Sequence, residues 1–349
     1  MNTAIKNPDL AVVIGRVQLP HKGHSTLFAE ALKRAPRLLV VLGSAWRARD
    51  TRNPFNAAER EQMVLAGLPA ADRERVSFLP VRDYFDDARW DAAVLKGVKG
   101  VQGLTHHSDN VVLVGFKKDS TSGYLDHFPG WALHEVAPTV DIDATSLRKV
   151  FFEDKASDGK LAVLGNYVEP GVLAYLKAWE HLPPFDRLVT EYAQVAAYRK
   201  KYSAPFYLTA DSVVTADNHV LLIRRGGDIG HGLWALPGGF VNKDEQFLPA
   251  ALRELREETG LGLLESSLKR ALRSSAVFDH PLRSPRGRLV TNAFHFDLGE
   301  MRPPEVQGSD DAMEAKWVPI TELPGIEESC FEDHSAILDH FVGVYRDEG

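Results

Sequence analysis

The stretch that most constrains the fold runs from Gly239 to Leu261 and reads GFVNKDEQFLPAALRELREETGL. From Pro249 its residues are good helix formers, and Gly260 stands where a left-handed cap would end the helix. Three carboxylates at i, i+3 and i+4 then project from one helical face: Glu254, Glu257 and Glu258. Such a cluster repels itself unless a cation neutralises it, and its hard oxygen atoms suit Mg²⁺ or Mn²⁺.

Three glutamates alone also fit a solvated acidic face paired with arginines of the same helix. The whole stretch is more specific, because every fixed position of the Nudix box, G-x5-E-x7-R-E-U-x-E-E-x-G-U with U aliphatic, is filled. The chain therefore resembles the Nudix hydrolases. The resemblance implies an α/β/α fold with a mixed sheet and metal-dependent cleavage of a diphosphate. Glu254, Glu257 and Glu258 would be both catalytic and metal-binding, and Gly239 would lie close to the substrate.

Length and composition indicate a soluble globular protein. The 349 residues are comfortable for two domains, with 44% hydrophobic and 26% charged residues. A net charge of −7 argues against nucleic acid as a general partner. The single cysteine, Cys330, excludes a disulfide framework within the chain and favours a reducing compartment. We find no membrane span or secretion signal and expect a cytoplasmic protein that has no membrane partner.

Short apolar runs alternate with helical stretches through the first half. Strands are predicted at 11–15, 37–43, 75–80 and 110–115, and helices at 25–34, 56–68 and 87–101. This alternation predicts a parallel sheet covered on both faces. Because ligands bind at the carboxyl ends of parallel strands, we expect the loops over 15–24, 43–56 and 115–131 to share one site.

The first of these loops carries His21-Lys22-Gly23-His24. Two histidines at the start of a helix can donate to phosphate oxygens, and Gly23 lets a phosphate approach the backbone. The four letters alone also describe a pair of surface histidines. The strand before them, the helix after them and DATSLR (143–148) downstream favour phosphate binding.

Together these features resemble the nucleotidylyltransferases. The closer resemblance is to the archaeal-type nicotinamide mononucleotide (NMN) adenylyltransferases and to bifunctional proteins that join such an enzyme to a Nudix domain. It rests on GRVQLPHKGH (15–24), GSAWRARDTRNPFNAAER (43–60), VGFKKDSTSGYLDHFPGW (114–131) and DATSLR (143–148). With HLPPFD (181–186) interrupting the pattern, we predict a Rossmann-like adenylyltransferase domain over 1–183, a linker or helix over 184–204 and a Nudix domain over 205–349.

The resemblance implies that the 5′-phosphate of NMN attacks the α-phosphorus of ATP, which gives NAD and pyrophosphate. His21, His24 and Arg148 would act on the ATP phosphates, with Mg²⁺ bridging oxygens. Trp131 would stack on the nicotinamide ring, although a lone tryptophan also fits a core. Further substrate contacts are implied at Gly15, Arg16, Lys22, Gly23, Asn53, Arg60 and Thr145.

The sequence departs from the family pattern at three places that together include five residues. The usual start is G-R-F-Q-P-x-H, whereas here Val17 replaces the aromatic residue and Leu19-Pro20 shift the proline. In the late motif, Asp143-Ala144 stand where small hydroxyl or glycine residues are common. Asn56, in the second segment, also fits a simple helix cap.

In the second half, strands are predicted at 207–215, 220–224, 270–278, 289–298 and 315–318. Arg253 is expected to pair with a carboxylate and so orient the metal ligands. Arg283, Arg286 and Arg288 are candidate partners of a phosphorylated ribose, with a solvated hairpin as the alternative. Glu314 is the candidate general base, although a surface glutamate is the simpler interpretation.

We therefore predict a bifunctional enzyme of NAD metabolism with Mg²⁺ or Mn²⁺ as cofactor. Its ligands would be ATP, NMN, NAD and ADP-ribose, the last cleaved to AMP and ribose 5-phosphate. One alternative keeps the Nudix activity but transfers a nucleotidyl group to another phosphate acceptor. The other is a sensor that binds ADP-ribose without cleaving it. The sequence leaves open whether the chain forms a homo-oligomer.

Overall fold

The structure is a computed structural model that describes residues 8–101, 110–116, 127–128, 130–137, 143–153, 159–202 and 204–345. The chain folds as two compact units that divide between Thr190 and Glu191. The described part contains no helix that is both long and apolar enough to cross a membrane.

The N-terminal unit is built on a parallel sheet, as predicted. In the described residues its strands are β1 Leu10–Gly15, β2 Arg37–Leu42, β3 Val76–Pro80, β4 Val111–Gly115 and β5 Ala132–Glu135. Their order is β3-β2-β1-β4-β5, and all pairs are parallel. The order reverses between β1 and β4, and such a reversal opens a ligand crevice at the carboxyl ends of the strands.

Helices accompany this sheet. They are α1 Lys22–Arg34, α2 Ala57–Gly67, α3 Asp87–Gly100, α4 Ala144–Glu153, α5 Gly159–Gly165 and α6 Pro170–Trp179. Alternate residues of β1 enter two cores: Ala11 and Val13 pack with apolar residues of α1, and Leu10 and Val12 with those of α3. The sheet is thus buried on both faces, which explains why its strands are continuous apolar runs.

Helix α7, Pro183–Lys201, contains the division between the units. We expected HLPPFD (181–186) to interrupt the pattern and a linker or helix to span residues 184–204. The helix instead begins at Pro183, because proline at the first position sacrifices no intrahelical hydrogen bond. Asp186 in the first turn and basic residues in the last complement the helix dipole.

The C-terminal unit has a mixed sheet, again as predicted. Its strands are β6 Tyr207–Ala216, β7 His219–Arg225, β8 Trp234–Ala235, β9 Gly238–Phe240, β10 Leu272–Phe278, β11 Leu289–Asp297 and β12 Ala312–Pro319. The main order is β10-β11-β6-β7-β12, with β11 and β6 parallel and the other neighbours antiparallel.

The helices of this unit are α8 Phe247–Thr259, α9 Glu265–Ala271, α10 Leu323–Ile326 and α11 His334–Val342. On β7, Leu221 faces the core that holds α8, whereas Val220 and Leu222 face the core that holds α11. The sheet therefore lies between helices, and its central strands position α8, the glutamate helix.

Candidate active sites of the two units

The histidine loop of the N-terminal unit lies between β1 and α1. His21 caps α1. Its ring Nδ1 accepts a hydrogen bond from the backbone N–H of Gly23 at 3.2 Å, and the backbone N–H of His21 donates to the ring Nδ1 of His24 at 3.2 Å. Because both Nδ1 atoms accept, each neutral ring carries its proton on Nε2. The rings lie 4.0 Å apart. A side chain at position 23 would meet the His21 ring at 2.9 Å, so glycine is required there. The loop thus fixes both imidazoles as Nε2 donors.

Two basic residues of this loop have different surroundings. Lys22 Nζ donates to the Asn166 carbonyl at 2.8 Å, and its backbone N–H donates to Tyr167 O. Lys22 therefore fastens the loop to the turn after α5, which gives it a structural task beside the predicted phosphate contact. Arg16 is exposed, just beyond the half-buried Gly15 at the end of β1.

Arg148 is brought to the same loop from 130 residues away. Its Nη1 donates to Gln18 O at 3.0 Å, and its Nη2 donates to Thr145 Oγ1 at 3.1 Å. The Gln18 amide in turn bonds both backbone groups of Phe55. The late motif, the histidine loop and the loop after β2 therefore meet, as the strand order requires. Residues 117–126 of the third predicted loop lie outside the described residues.

Arg60 holds the ends of two strands. It is fully buried, and its Nη1 donates to Arg16 O at 2.6 Å and to Gly43 O at 2.7 Å. Burial lowers the pKa of Arg60 to about 10. Asn53 is also buried, and its Oδ1 has no hydrogen-bond partner. Asn56 is the capping residue of α2, as its alternative interpretation expected. Arg60 thus shapes the site through backbone carbonyls.

A network between the loops after β2 and β3 was missed in the sequence. Ser44 Oγ and Arg47 Nη1 donate to the Asp83 carboxylate at 3.0 and 3.1 Å, and the Arg82 guanidinium lies 4.4 Å from the Trp46 ring centre. These residues directly follow β2 and β3, and this position at the carboxyl ends of strands is the feature by which the sequence could have indicated them. The network ties two loops of the crevice together.

Trp131, the residue predicted to stack on the nicotinamide ring, packs in the core cluster between the sheet and α3. It is 8% exposed and stacks on Phe128, with ring centres 4.4 Å apart and planes at 13°. Trp90, at the start of α3, is more exposed and lies 6.2 Å from the same Phe128 ring. One face of Trp131 is therefore occupied by protein.

The departure at Val17 coincides with unusual backbone. Val17 and Leu19 have φ of 47° and 90°, a region that residues with a Cβ seldom adopt. Both side chains are buried, so packing holds the loop in this shape. Strain of this kind is typical of functional loops.

The C-terminal site is organised by α8 and the glycines before it. A side chain at Gly239 would lie 2.5 Å from Glu254 Oε1, so the backbone reaches this carboxylate only because the residue is glycine. Glu258 is 3% exposed and accepts from the Gly238 N–H at 2.8 Å. Gly260 ends the helix with φ of 57°, as predicted. The site is formed where β9 meets the glutamate face.

Arg253 connects the acidic residues of the motif. Its guanidinium bonds both oxygens of Glu245 at 2.9 Å, Glu254 Oε1 at 2.7 Å and Glu257 Oε2 at 3.0 Å. It also donates to the Phe240 carbonyl at 3.0 Å. The pKa of Glu245 falls to about 2, chiefly because of its hydrogen bond with Arg253. The prediction that Arg253 orients the carboxylates agrees with this geometry.

The carboxylate oxygens of the motif are of the chemical type that binds a divalent cation, although the arrangement in this structure is set by Arg253. Among the described residues, no group of three or more His, Cys, Asp or Glu side chains is arranged to hold a metal ion, and Arg253 Nη1 lies between Glu254 and Glu257. Burial raises the pKa of Glu258 to about 8 and also raises the pKa of Glu254. Buried carboxylates that resist ionisation favour a compensating positive charge, and their hard oxygens suit Mg²⁺ or Mn²⁺.

We predict that Glu258→Gln stabilises the metal-free protein increasingly as pH rises. The unfolded Glu258 ionises near pH 4.5 but the folded one near pH 8, so the wild-type protein loses stability across that interval while glutamine does not titrate. Thermal unfolding in a chelator, at about pH 5.5 and about pH 8.5, measures the effect. An equal difference between the two proteins at both pH values would show that Glu258 is ionised in the folded state.

The arginines of the β10–β11 segment require a correction. Arg283 is 2% exposed and forms a two-bonded ion pair with Asp333, at 2.8 and 2.9 Å. Arg286 forms a similar pair with Glu332, and Arg288 donates to a backbone carbonyl. The guanidinium groups of Arg283 and Arg286 therefore bind acidic side chains of the protein instead of a phosphorylated ribose. Because a buried charge without its partner is strongly destabilising, these ion pairs hold the two arginines in place.

Asp211 is a buried acid that the sequence did not reveal. It accepts from Thr291 Oγ1 at 2.5 Å, and a side chain on Gly238 would lie 2.3 Å from its Oδ1. Burial raises its pKa to about 6. The Asp211 side chain thus packs against the backbone of the glycine turn at Gly238.

Glu314, the predicted general base, lies on β12 with an exposed side chain. Its Oε2 is 3.3 Å from Arg224 Nε. An exposed side chain paired with an arginine is what the alternative interpretation, a surface glutamate, would give.

Comparison with known proteins gives matches in both units. A cytidylyltransferase-like family model matches residues 12–150, and the NUDIX domain model matches residues 206–340. The nicotinamide/nicotinic acid mononucleotide adenylyltransferase of Acinetobacter baylyi is 30% identical over 185 residues, 53% of this chain and 93% of the relative. The ADP-ribose pyrophosphatase of Methanocaldococcus jannaschii is 34% identical over 145 residues, 40% of this chain and 78% of the relative.

A solved structure of similar fold matches across both units. It is the bifunctional NMN adenylyltransferase/ADP-ribose pyrophosphatase of Francisella tularensis, in complex with AMP and a manganese ion. The TM-score is 0.86 at 31% identity, over 98% of this chain and 100% of that one. The chain belongs to the family of bifunctional NMN adenylyltransferases and ADP-ribose pyrophosphatases.

Proposed function

We propose that this protein makes NAD from NMN and ATP in its N-terminal domain and hydrolyses ADP-ribose in its C-terminal domain. The observation that carries the first half is the convergence of two Nε2-donor histidines with Arg148 at the carboxyl ends of β1 and β2. The second half rests on the glutamate face of α8, held by Arg253. We assign residues 1–183 and 205–349 to the two domains, with 184–204 between them, and place both reactions in the cytoplasm.

Adenylyl transfer needs positioning and charge neutralisation more than a protein nucleophile. An oxygen of the NMN phosphate attacks the α-phosphorus of ATP, the bond to the β-phosphate oxygen breaks, and pyrophosphate leaves. His21 and His24 donate from Nε2 to phosphate oxygens, and Arg148 supplies a fixed positive charge. Arg60 holds the ends of β1 and β2 together beside these side chains, through its hydrogen bonds to the carbonyls of Arg16 and Gly43.

Hydrolysis of ADP-ribose breaks a diphosphate bond by attack of water on phosphorus and yields AMP and ribose 5-phosphate. Glu254, Glu257 and Glu258 would hold Mg²⁺ or Mn²⁺, which neutralises the diphosphate and acidifies water. Arg253 keeps Glu254 and Glu257 apart and oriented, while the Gly238 N–H fixes Glu258. The glycine turn lets the substrate approach the backbone.

The test incubates the purified full-length protein with Mg²⁺ and either NMN plus ATP or ADP-ribose alone, with chromatography as the readout. NAD in the first tube and AMP in the second support both halves, and matched tubes with a chelator establish the metal requirement. AMP without NAD would assign the N-terminal domain another phosphate acceptor. ADP-ribose that stays bound but intact would indicate a sensor and overturn the hydrolase proposal.

A further inference from the structure

The glycine turn runs over residues 234–239, from β8 to β9. The Gly238 N–H in this turn donates to Glu258 Oε2 at 2.8 Å, so the position of the carboxylate depends on the backbone of the turn. One side of the turn is tied to β6, because the Ser212 N–H donates to Pro237 O at 2.8 Å. The turn therefore connects the sheet to the glutamate face of α8.

The other side of the glycine turn is held by residues 330–334, at the start of α11. The Phe331 N–H donates to Trp234 O at 2.7 Å. The ring Nδ1 of His334 accepts a hydrogen bond from the backbone N–H of Leu236 at 2.9 Å. Leu236 is 1% exposed, so its N–H needs a partner within the protein. His334 therefore supplies a hydrogen bond that the fold requires at this point of the turn.

The His334 ring remains an acceptor at neutral pH. Burial lowers the pKa of His334 to about 3, so the imidazole is uncharged. In an uncharged ring whose Nδ1 accepts, the proton is on Nε2. The centres of the His334 and Phe331 rings are 5.6 Å apart, and both side chains are buried. A single tautomer of a packed ring thus faces the glycine turn.

Two buried ion pairs hold the residues that precede His334. Asp333 accepts from Arg283 at 2.8 and 2.9 Å, and Glu332 accepts from Arg286 at 2.9 and 3.0 Å. Glu332 has a φ of 46°, a region that residues with a Cβ seldom adopt, and its ion pair stabilises this conformation. The two arginines therefore fix the backbone from which the His334 side chain extends to the glycine turn.

We propose that His334 is a positioning residue of the hydrolase. By holding Leu236, it sets the Gly238 N–H against Glu258. Only Pro237 lies between Leu236 and Gly238, and its ring fixes one backbone dihedral angle, so a shift of Leu236 is passed on to Gly238. Glu258 would then lose its donor and its orientation as a metal ligand. The proposal rests on the proposed metal-dependent hydrolase function of this domain.

The first test measures ADP-ribose hydrolysis by the full-length protein at several Mg²⁺ concentrations. His334→Leu removes the acceptor, and we expect it to lower kcat about 10-fold and to raise the Mg²⁺ concentration that gives half of the maximal rate. His334→Asn should recover most of the loss, because its amide oxygen can accept from the Leu236 N–H. His340→Leu, which changes an exposed histidine of the same helix, is the matched control and should keep wild-type values.

The second test needs neither metal nor ADP-ribose. Hydrogen–deuterium exchange, followed by mass spectrometry, reports on the backbone N–H groups of a peptide that covers residues 234–240. We expect faster exchange in this peptide for His334→Leu, because the Leu236 N–H has lost its acceptor and the Gly238 N–H its fixed position. Exchange in β6 and β11 should stay at the wild-type rate. His334→Asn and His340→Leu should both protect the peptide as the wild-type protein does.

Three results would overturn the proposal. They are wild-type hydrolysis and exchange in His334→Leu, equal losses in His334→Leu and His334→Asn, and faster exchange throughout the C-terminal domain of His334→Leu. The last would mean that His334 stabilises the whole domain instead of the turn. If the wild-type protein does not cleave ADP-ribose but His334→Leu still loosens only the turn, the hydrolase proposal fails and the hold of His334 on the turn stands. The two failures are therefore distinguishable.

Discussion

Glu257→Gln is expected to lower kcat/KM for ADP-ribose hydrolysis by about 10²–10³-fold while NAD formation continues at the wild-type rate. Glutamine keeps an oxygen that can accept from Arg253, so the local hydrogen bond survives. It removes the negative charge that a divalent cation requires. Steady-state kinetics of both reactions on one preparation, with Mg²⁺ in excess, measure the effect.

The matched control is Glu265→Gln. Glu265 is an exposed glutamate on α9 that pairs with Lys269 and Arg256. Because exposed pairs contribute little to stability, both activities should stay at wild-type values. Hydrolysis at the wild-type rate in Glu257→Gln would remove Glu257 from the set of metal ligands.

His24→Ala is expected to have the opposite effect. NAD formation should fall by about 10²–10³-fold, because the variant loses an Nε2 donor to phosphate. The variant also loses the ring Nδ1 that accepts a hydrogen bond from the backbone N–H of His21. We expect this loss to lower the free energy of unfolding by about 1 kcal/mol, as for other helix caps. ADP-ribose hydrolysis should be unchanged. Kinetics with NMN and ATP varied separately locate the loss.

His181→Ala is the control, since His181 is an exposed histidine just after α6. Partial recovery in His24→Gln would separate the phosphate contact from simple loss of the ring, because glutamine offers both a donor and an acceptor. If His24→Ala and Glu257→Gln each abolish both reactions in folded protein, the proposal of two independent sites is wrong.

The parts of the fold that local pattern controls were predictable. The strands of the parallel sheet are buried on both faces, so each is a continuous apolar run that the sequence displays directly. The glutamate helix was equally visible, because its three carboxylates are spaced by helical periodicity and Gly260 marks its end. Among the described residues, four of the five strands of the parallel sheet, five of the seven strands of the mixed sheet and α8 were therefore predicted, whereas the short strands β5, β8 and β9 were not.

What could not be predicted depends on partners distant in the sequence. Arg283 and Asp333 are 50 residues apart in the sequence, and nothing in the sequence around either residue indicates that they pair. The same holds for Trp131, since its stacking on Phe128 is not visible in the local sequence pattern. Tertiary contacts decide both.

The guanidinium of Arg253 has a consequence for how the protein matures. Lying between Glu254 and Glu257, it serves as a covalently attached counter-ion while the polypeptide is still without metal. We therefore expect the C-terminal domain to fold without a bound ion, unlike zinc fingers, which fold only with their metal. Removal of the metal would then stop hydrolysis while the protein stays folded, and metal added back would restore activity to the same molecules.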